Sequence, residues 1–143
     1  MKQPVILIRL AASLVFLSFT RGQCLTAIRK LPPDFKPGQR VTVRLHITPA
    51  RAPGEITIKE IVPEGWRVIA SAPAWKKEEE RLIENVYTWR LSLGKPTGYS
   101  VTYILEVPRG VKLPKEFHGY ISADGAGRTF IEGDQKISIK EEP

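Results

Sequence analysis

Residues 41–48 read V-T-V-R-L-H-I-T, and the strict alternation of Val41, Val43, Leu45 and Ile47 with Thr42, Arg44, His46 and Thr48 decides the class of fold. Successive side chains of a β-strand point to opposite faces, so this octet has one apolar face and one wet face. The pattern recurs along the chain. Tyr87, Trp89 and Leu91 share a face in Y-T-W-R-L, and Val101, Tyr103, Leu105 and Val107 share one in V-T-Y-I-L-E-V. No window of a dozen residues beyond position 24 carries a helical stripe.

Working outward, further strands are expected over 24–31, 55–62, 66–71, 117–123, 128–132 and 136–140. The spacing of Ile56, Ile58 and Ile61 breaks period two and predicts a bulge near Glu60. Turn chemistry separates the runs: P-P-D at 32–34, K-P-G at 36–38, A-P-G at 52–54, P-E-G at 63–65, L-G-K-P at 93–96 and D-G-A-G at 124–127. The stretch 72–84, A-P-A-W-K-K-E-E-E-R-L-I-E, is open between a long loop, a short helical turn and a flap. Short strands with turns every 8 to 12 residues and no helices predict an antiparallel β-sandwich of about 7–9 strands.

The chain begins MKQPVILIRLAASLVFLSFTRGQ, with Lys2 and Arg9 ahead of an apolar run from Leu10 to Phe19 and small residues at Thr20 and Gly22. That is the layout of a signal peptide, residues 1–22, and it implies a secreted, periplasmic or cell-surface protein. The apolar run is about half of the roughly 20 residues a membrane span needs, so no stable span is expected after cleavage; an uncleaved anchor is the alternative. Cleavage after Gly22 leaves 143 − 22 = 121 residues, 23–143, enough for one domain. It also removes three basic residues, Lys2, Arg9 and Arg21, so the net charge falls from +7 to 19 − 15 = +4. The remaining charge is spread out, and the run K-K-E-E-E-R at 76–81 is nearly balanced, which argues against nucleic acid as a partner. The single cysteine, Cys24, rules out an intrachain disulfide; a lipid anchor would set the cysteine directly after a small residue, whereas Gln23 precedes it.

Taken in order, L-P-P-D-F-K-P-G-Q-R-V-T-V-R-L, I-K-E-I-V-P-E-G-W-R-V, Y-T-W, Y-I-L-E-V-P, F-H-G-Y-I-S-A-D-G and I-E-G-D-Q-K-I resemble the immunoglobulin-like repeat domains of bacterial and archaeal secreted and cell-surface proteins, including dockerin-associated ones. The likeness runs from about Leu31 to Ile139. It implies an immunoglobulin-like β-sandwich used as a spacer, scaffold or adhesion module, without catalysis. The chain departs from that pattern in holding one copy and no recognisable dockerin.

Candidate chemistry is sparse. Trp66 follows the P-E-G turn, with Val68 and Ala70 in one phase and Arg67 and Ile69 in the other; an indole there caps the open end of a sandwich. Trp89 is in phase with the core. Trp75, among Pro73, Ala74, Lys76 and Lys77, is the aromatic placed to meet a sugar ring or a partner protein. Arg44 and Arg90, with Thr42, Thr88 and Thr102, form a wet face suited to an anionic polysaccharide, so Trp75, Arg44 and Arg90 are the candidate ligand contacts. His46 and His118 stand alone in their strands, without the convergent donors zinc requires. No Gly-x-Ser-x-Gly elbow appears. Asp124, Glu132 and Asp134 flank two turns but match no calcium loop. The expected function is non-catalytic, without cofactor or metal: pairing with another envelope or extracellular protein, through an edge strand or apolar patch. The alternative is a carbohydrate-binding accessory module.

Overall fold

The computed structural model describes residues 25–49, 54–80, 84–95, 97–123 and 127–140. The signal peptide expected at 1–22, Cys24 and Asp124 lie outside the described residues. The strands in chain order are β1 (Thr26–Lys30), β2 (Asp34–Phe35), β3 (Arg40–Thr48), β4 (Gly54–Pro63), β5 (Arg67–Ala72), β6 (Lys77–Glu80), β7 (Glu84–Leu93), β8 (Tyr99–Glu106), β9 (Lys115–Glu116), β10 (His118–Ala123), β11 (Arg128–Phe130), β12 (Glu132–Gly133) and β13 (Lys136–Ile139). The first sheet runs β12-β1-β3-β8-β5, the second β11-β10-β4-β7-β6, and β2-β13-β9 form a small third sheet. The pairings are antiparallel except β1 with β12 and β2 with β13. The fold is an all-β antiparallel sandwich.

Alternation explains how the two large sheets meet. Val41, Val43, Leu45 and Ile47 are buried while the residues between them are exposed, as the opening octet requires. From β8 come Val101, Tyr103 and Leu105, and from the facing sheet Ile56, Ile58, Tyr87, Trp89 and Ile121, all in one core. Pairing of Arg40–Ile47 with Tyr99–Glu106 is continuous, which fixes the register of the first sheet's centre.

Three expectations are corrected. β4 pairs without a register shift against both β7 and β10, so Glu60 is not at a bulge; it takes the inward place between Ile58 and Val62. The irregularity lies instead in β5, between Val68 and Ala70 against β8, and it leaves Ala70 exposed rather than in phase with Val68. Within 72–84 the chain makes β6, paired antiparallel to β7, in place of the loop, helical turn or flap.

The P-E-G corner behaves as its residues dictate. Trp66 N donates to Pro63 O at 3.1 Å, closing a turn whose third residue, Gly65, has φ 79°. That backbone conformation favours glycine. The turn delivers Trp66 to the end of the sandwich beside the small third sheet.

Candidate functional site

The large aromatic side chains are structural first. Trp66 is fully buried, with Phe35 at 4.8 Å and Phe117 at 5.7 Å between ring centroids, both edge-on. Its Nε1 has no hydrogen-bond partner among the described residues, so the indole is held by area and ring packing. Trp89, also fully buried, donates from Nε1 to Ser71 Oγ at 3.0 Å and Pro73 O at 3.1 Å. Tyr87 accepts from Val68 N at 3.0 Å and donates to Glu78 Oε1 at 2.8 Å. These polar tips stitch β7 of one sheet to β5 of the other. Burial, then the bond to Glu78, pushes the Tyr87 hydroxyl up to about 12.

Sequence reasoning missed a buried polar group. Arg29 on β1 and Glu60 on β4 are fully desolvated and form a bidentate ion pair, with Nε 3.0 Å from Oε2 and Nη2 on Oε1. Tyr103 OH donates to the same carboxylate, and Arg29 Nη1 donates to Asp134 O at 3.1 Å and Phe117 O at 3.4 Å. Burial lowers the Arg29 pKa, but the Glu60 carboxylate outweighs it and the net shift is upward. Burial and then Glu60 raise Tyr103 well above its ordinary value. Gly119 lies against this group: a Cβ there would come 2.5 Å from Glu60 Oε1. The carboxylate is saturated with donors and closed to solvent, so it works as a cross-sheet lock. The signal was present in phase, since Arg29 shares a strand face with Ala27, and Glu60 with Ile58.

The three candidate ligand contacts are not brought together. Trp75 is half-buried, edge-on to Tyr87 at 5.8 Å and packed against the core. Arg44 projects from the outer face of the first sheet, opposite Thr102. Arg90 lies on the outer face of the second sheet, where Nη2 donates to Glu55 Oε2 at 3.0 Å, and Thr88 beside it is buried. The wet face read from sequence is thus divided between opposite sides of the molecule. His46 and His118 are both exposed, the latter 3.6 Å from Glu116. Among the described residues no group of three or more His, Cys, Asp or Glu could hold a metal ion. Asp134 Oδ2 instead accepts from Leu31 N at 3.0 Å, a tie to the chain just after β1, 103 residues away, rather than a bond within its own turn.

A different surface gathers binding chemistry. On the outer face of the second sheet Phe130 of β11 lies directly opposite Tyr120 of β10, which in turn lies opposite Lys59 of β4. Arg128 stacks over the Tyr120 ring at 4.9 Å and Lys59 approaches it at 5.9 Å. Tyr120 is half-buried, whereas Phe130 is 77% exposed at the sheet's edge. Cations over an aromatic face are favourable at such sites, and Phe130 leaves most of its phenyl ring in solvent. At the Trp66 end, a surface hollow of about 340 Å³ is lined by Asp34, Lys36, Gln39, Arg40 and Lys140 among others.

No protein-family model and no curated protein matches this chain. Similar solved structures include the sporulation control protein Spo0M of Bacillus subtilis (TM-score 0.49, 11% identity, 82% of this chain and 50% of that one). The collagen binding domain of Erysipelothrix rhusiopathiae surface protein RspB gives TM-score 0.46 and 9% identity over 80% of this chain and 47% of that one. A GH20 exo-β-N-acetylglucosaminidase of Vibrio harveyi gives TM-score 0.39 and 8% identity over 82% of this chain and 19% of that one. The chain spans about half the length of the first two and a fifth of the third, and none of these overlaps assigns a function.

Proposed function

We propose that this chain is an exported, non-catalytic, immunoglobulin-like module that binds another protein at the cell surface or in the periplasm, through the outer face and β11 edge of the second sheet. The single observation that carries this reading is Phe130, a large apolar side chain left 77% exposed beside Tyr120 and Arg128. Aromatic and arginine side chains are the residues that anchor protein interfaces. An edge strand adds backbone groups that a partner strand can pair with. The leader at 1–22 supports export, and the dense packing of indoles between the sheets supports work on the outside rather than in a cleft.

The test is capture of proteins from the envelope fraction of the source cells on the immobilised chain, beside Phe130→Ser and Trp75→Ala variants and a panel of polysaccharides. Retention of a protein by wild type and by Trp75→Ala, with loss in Phe130→Ser, is the expected result. Retention of glycans alone, abolished in Trp75→Ala, would replace this reading with the carbohydrate-binding one.

A further inference from the structure

The outer face of the first sheet carries cations that the domain leaves unmatched. β3 is a central strand, between β1 and β8, and its outward row is Arg40, Thr42, Arg44 and His46, all exposed. Lys30 of β1, also exposed, lies directly opposite Arg44, and Thr102 of β8 flanks Arg44 on the other side. Like charges directly opposite each other in a strand pair are unfavourable. Where β1 ends at Lys30, the surface dips into the hollow of about 340 Å³, whose lining includes Pro32, Thr42, Arg40, Lys36 and Lys140. A second hollow of about 500 Å³ shares Lys36, Gln39 and Lys140 with it.

Backbone bonds hold these groups in place. Gln39 N donates to Lys36 O at 3.1 Å, and the turn is tied to the chain after β8 by Gly38 N to Val107 O at 3.1 Å and Val107 N to Gln39 O at 3.0 Å. Lys140 N donates to Phe35 O at 2.9 Å. Among the described residues none of Lys30, Lys36, Arg40, Arg44 and Lys140 is in an ion pair. The nearby acids stand at the margins: Asp34 in the hollow, Glu106 between Arg40 and Arg67, and Asp134 bonded to Leu31 N.

We infer that this strip, from the Lys30 and Arg44 pair past Arg40 to Lys36 and Lys140, binds an acidic polysaccharide, at a site on the opposite side of the sandwich from the β11 surface. Arg40 and Arg44 lie about 13 Å apart along the strand, so the ligand is an extended chain with repeated negative groups rather than a single small anion. An acidic peptide is the weaker fit. The backbone groups of β3 are taken up on both sides by β1 and β8, so a peptide strand finds no ladder there. What the strip offers between its cations is Thr42, Thr102 and Gln39, whose side chains exchange hydrogen bonds with sugar hydroxyls. Recognition rests on charge, because the aromatic side chain in the hollow's lining, Phe35, is buried.

Binding of the purified chain to polygalacturonate, dextran and poly-glutamate tests this. Polygalacturonate should bind at about 0.05 M salt and be released at about 0.5 M, where screening is severalfold shorter; dextran should not bind. Arg40→Glu/Arg44→Glu should weaken binding at least about tenfold, and Asp34→Asn should tighten it about twofold, the scale of exposed charge contacts. Lys95→Glu, an exposed cation at the other end of the sandwich, should change it less than about twofold, and all variants should keep the wild-type circular dichroism. Absence of polygalacturonate binding, an equal loss in Lys95→Glu, or dextran binding would overturn the inference. Poly-glutamate held as tightly would make the partner an acidic protein and overturn it too, as would loss of polygalacturonate in Trp75→Ala or Phe130→Ser. Each of the first four failures leaves the envelope-protein reading intact, since that reading is tested on the opposite face.

Discussion

Arg29 and Glu60 lie 31 residues apart in the chain, on strands of opposite sheets, and meet in a fully buried ion pair with Nε 3.0 Å from Oε2. Their position between β1 and β4 means that neither sheet can slide over the other without stranding a charge in the core. Removing one partner leaves the other uncompensated, so Arg29→Met or Glu60→Leu alone is expected to destabilise by about 3–5 kcal/mol. Replacing the trio together, Arg29→Met, Glu60→Leu and Tyr103→Phe, should recover most of that loss. Urea unfolding midpoints of the four proteins check this; single variants indistinguishable from wild type would contradict the lock.

Trp66 fills the end of the sandwich without a hydrogen bond to lose. Trp66→Ala is expected to cost about 3–5 kcal/mol, the range for emptying a large aromatic site. Trp66→Phe should cost less, because one edge-on contact to Phe35 or Phe117 can be kept. Thermal unfolding read by circular dichroism gives the order wild type, Trp66→Phe, Trp66→Ala.

The Tyr87 hydroxyl is pushed up to about 12, and Tyr103 is also raised, from an ordinary value of 10.0. A raised value means that the folded state holds the proton more tightly than the unfolded chain does. The stabilisation is therefore complete below about pH 10 and declines as pH climbs toward 12. Absorbance titration should show these two tyrosines ionising last, with Tyr87→Phe removing the component near 12 and flattening the stability loss across that window.

Much of the fold was legible because each sheet is wet on one side, so the period-two pattern of 41–48 and 101–107 transcribes directly into burial. The P-E-G turn and the burial of Trp66 and Trp89 were legible for the same reason. Glu60 was misread because a carboxylate in the inward phase looks like a break in an apolar series; only its cross-sheet partners, remote in sequence, show that the phase is unbroken. β6 was obscured by its own composition, since K-E-E-E has little strand propensity and pairs because β7 offers it a ladder. Arg44 and Arg90 were grouped because alternation reports which face of a strand is wet but not which sheet the strand joins. Phe130 and Tyr120 escaped notice because their opposition depends on the register of β10 with β11.

The proposed function requires that the indoles fill the sandwich, so that recognition falls to its outer surface. Acrylamide quenching of the Trp75→Phe variant, whose remaining indoles are Trp66 and Trp89, tests this most directly. Both are fully buried, so quenching about an order of magnitude weaker than that of free tryptophan is expected. Quenching close to that of free tryptophan, in a variant that still unfolds cooperatively, would contradict it.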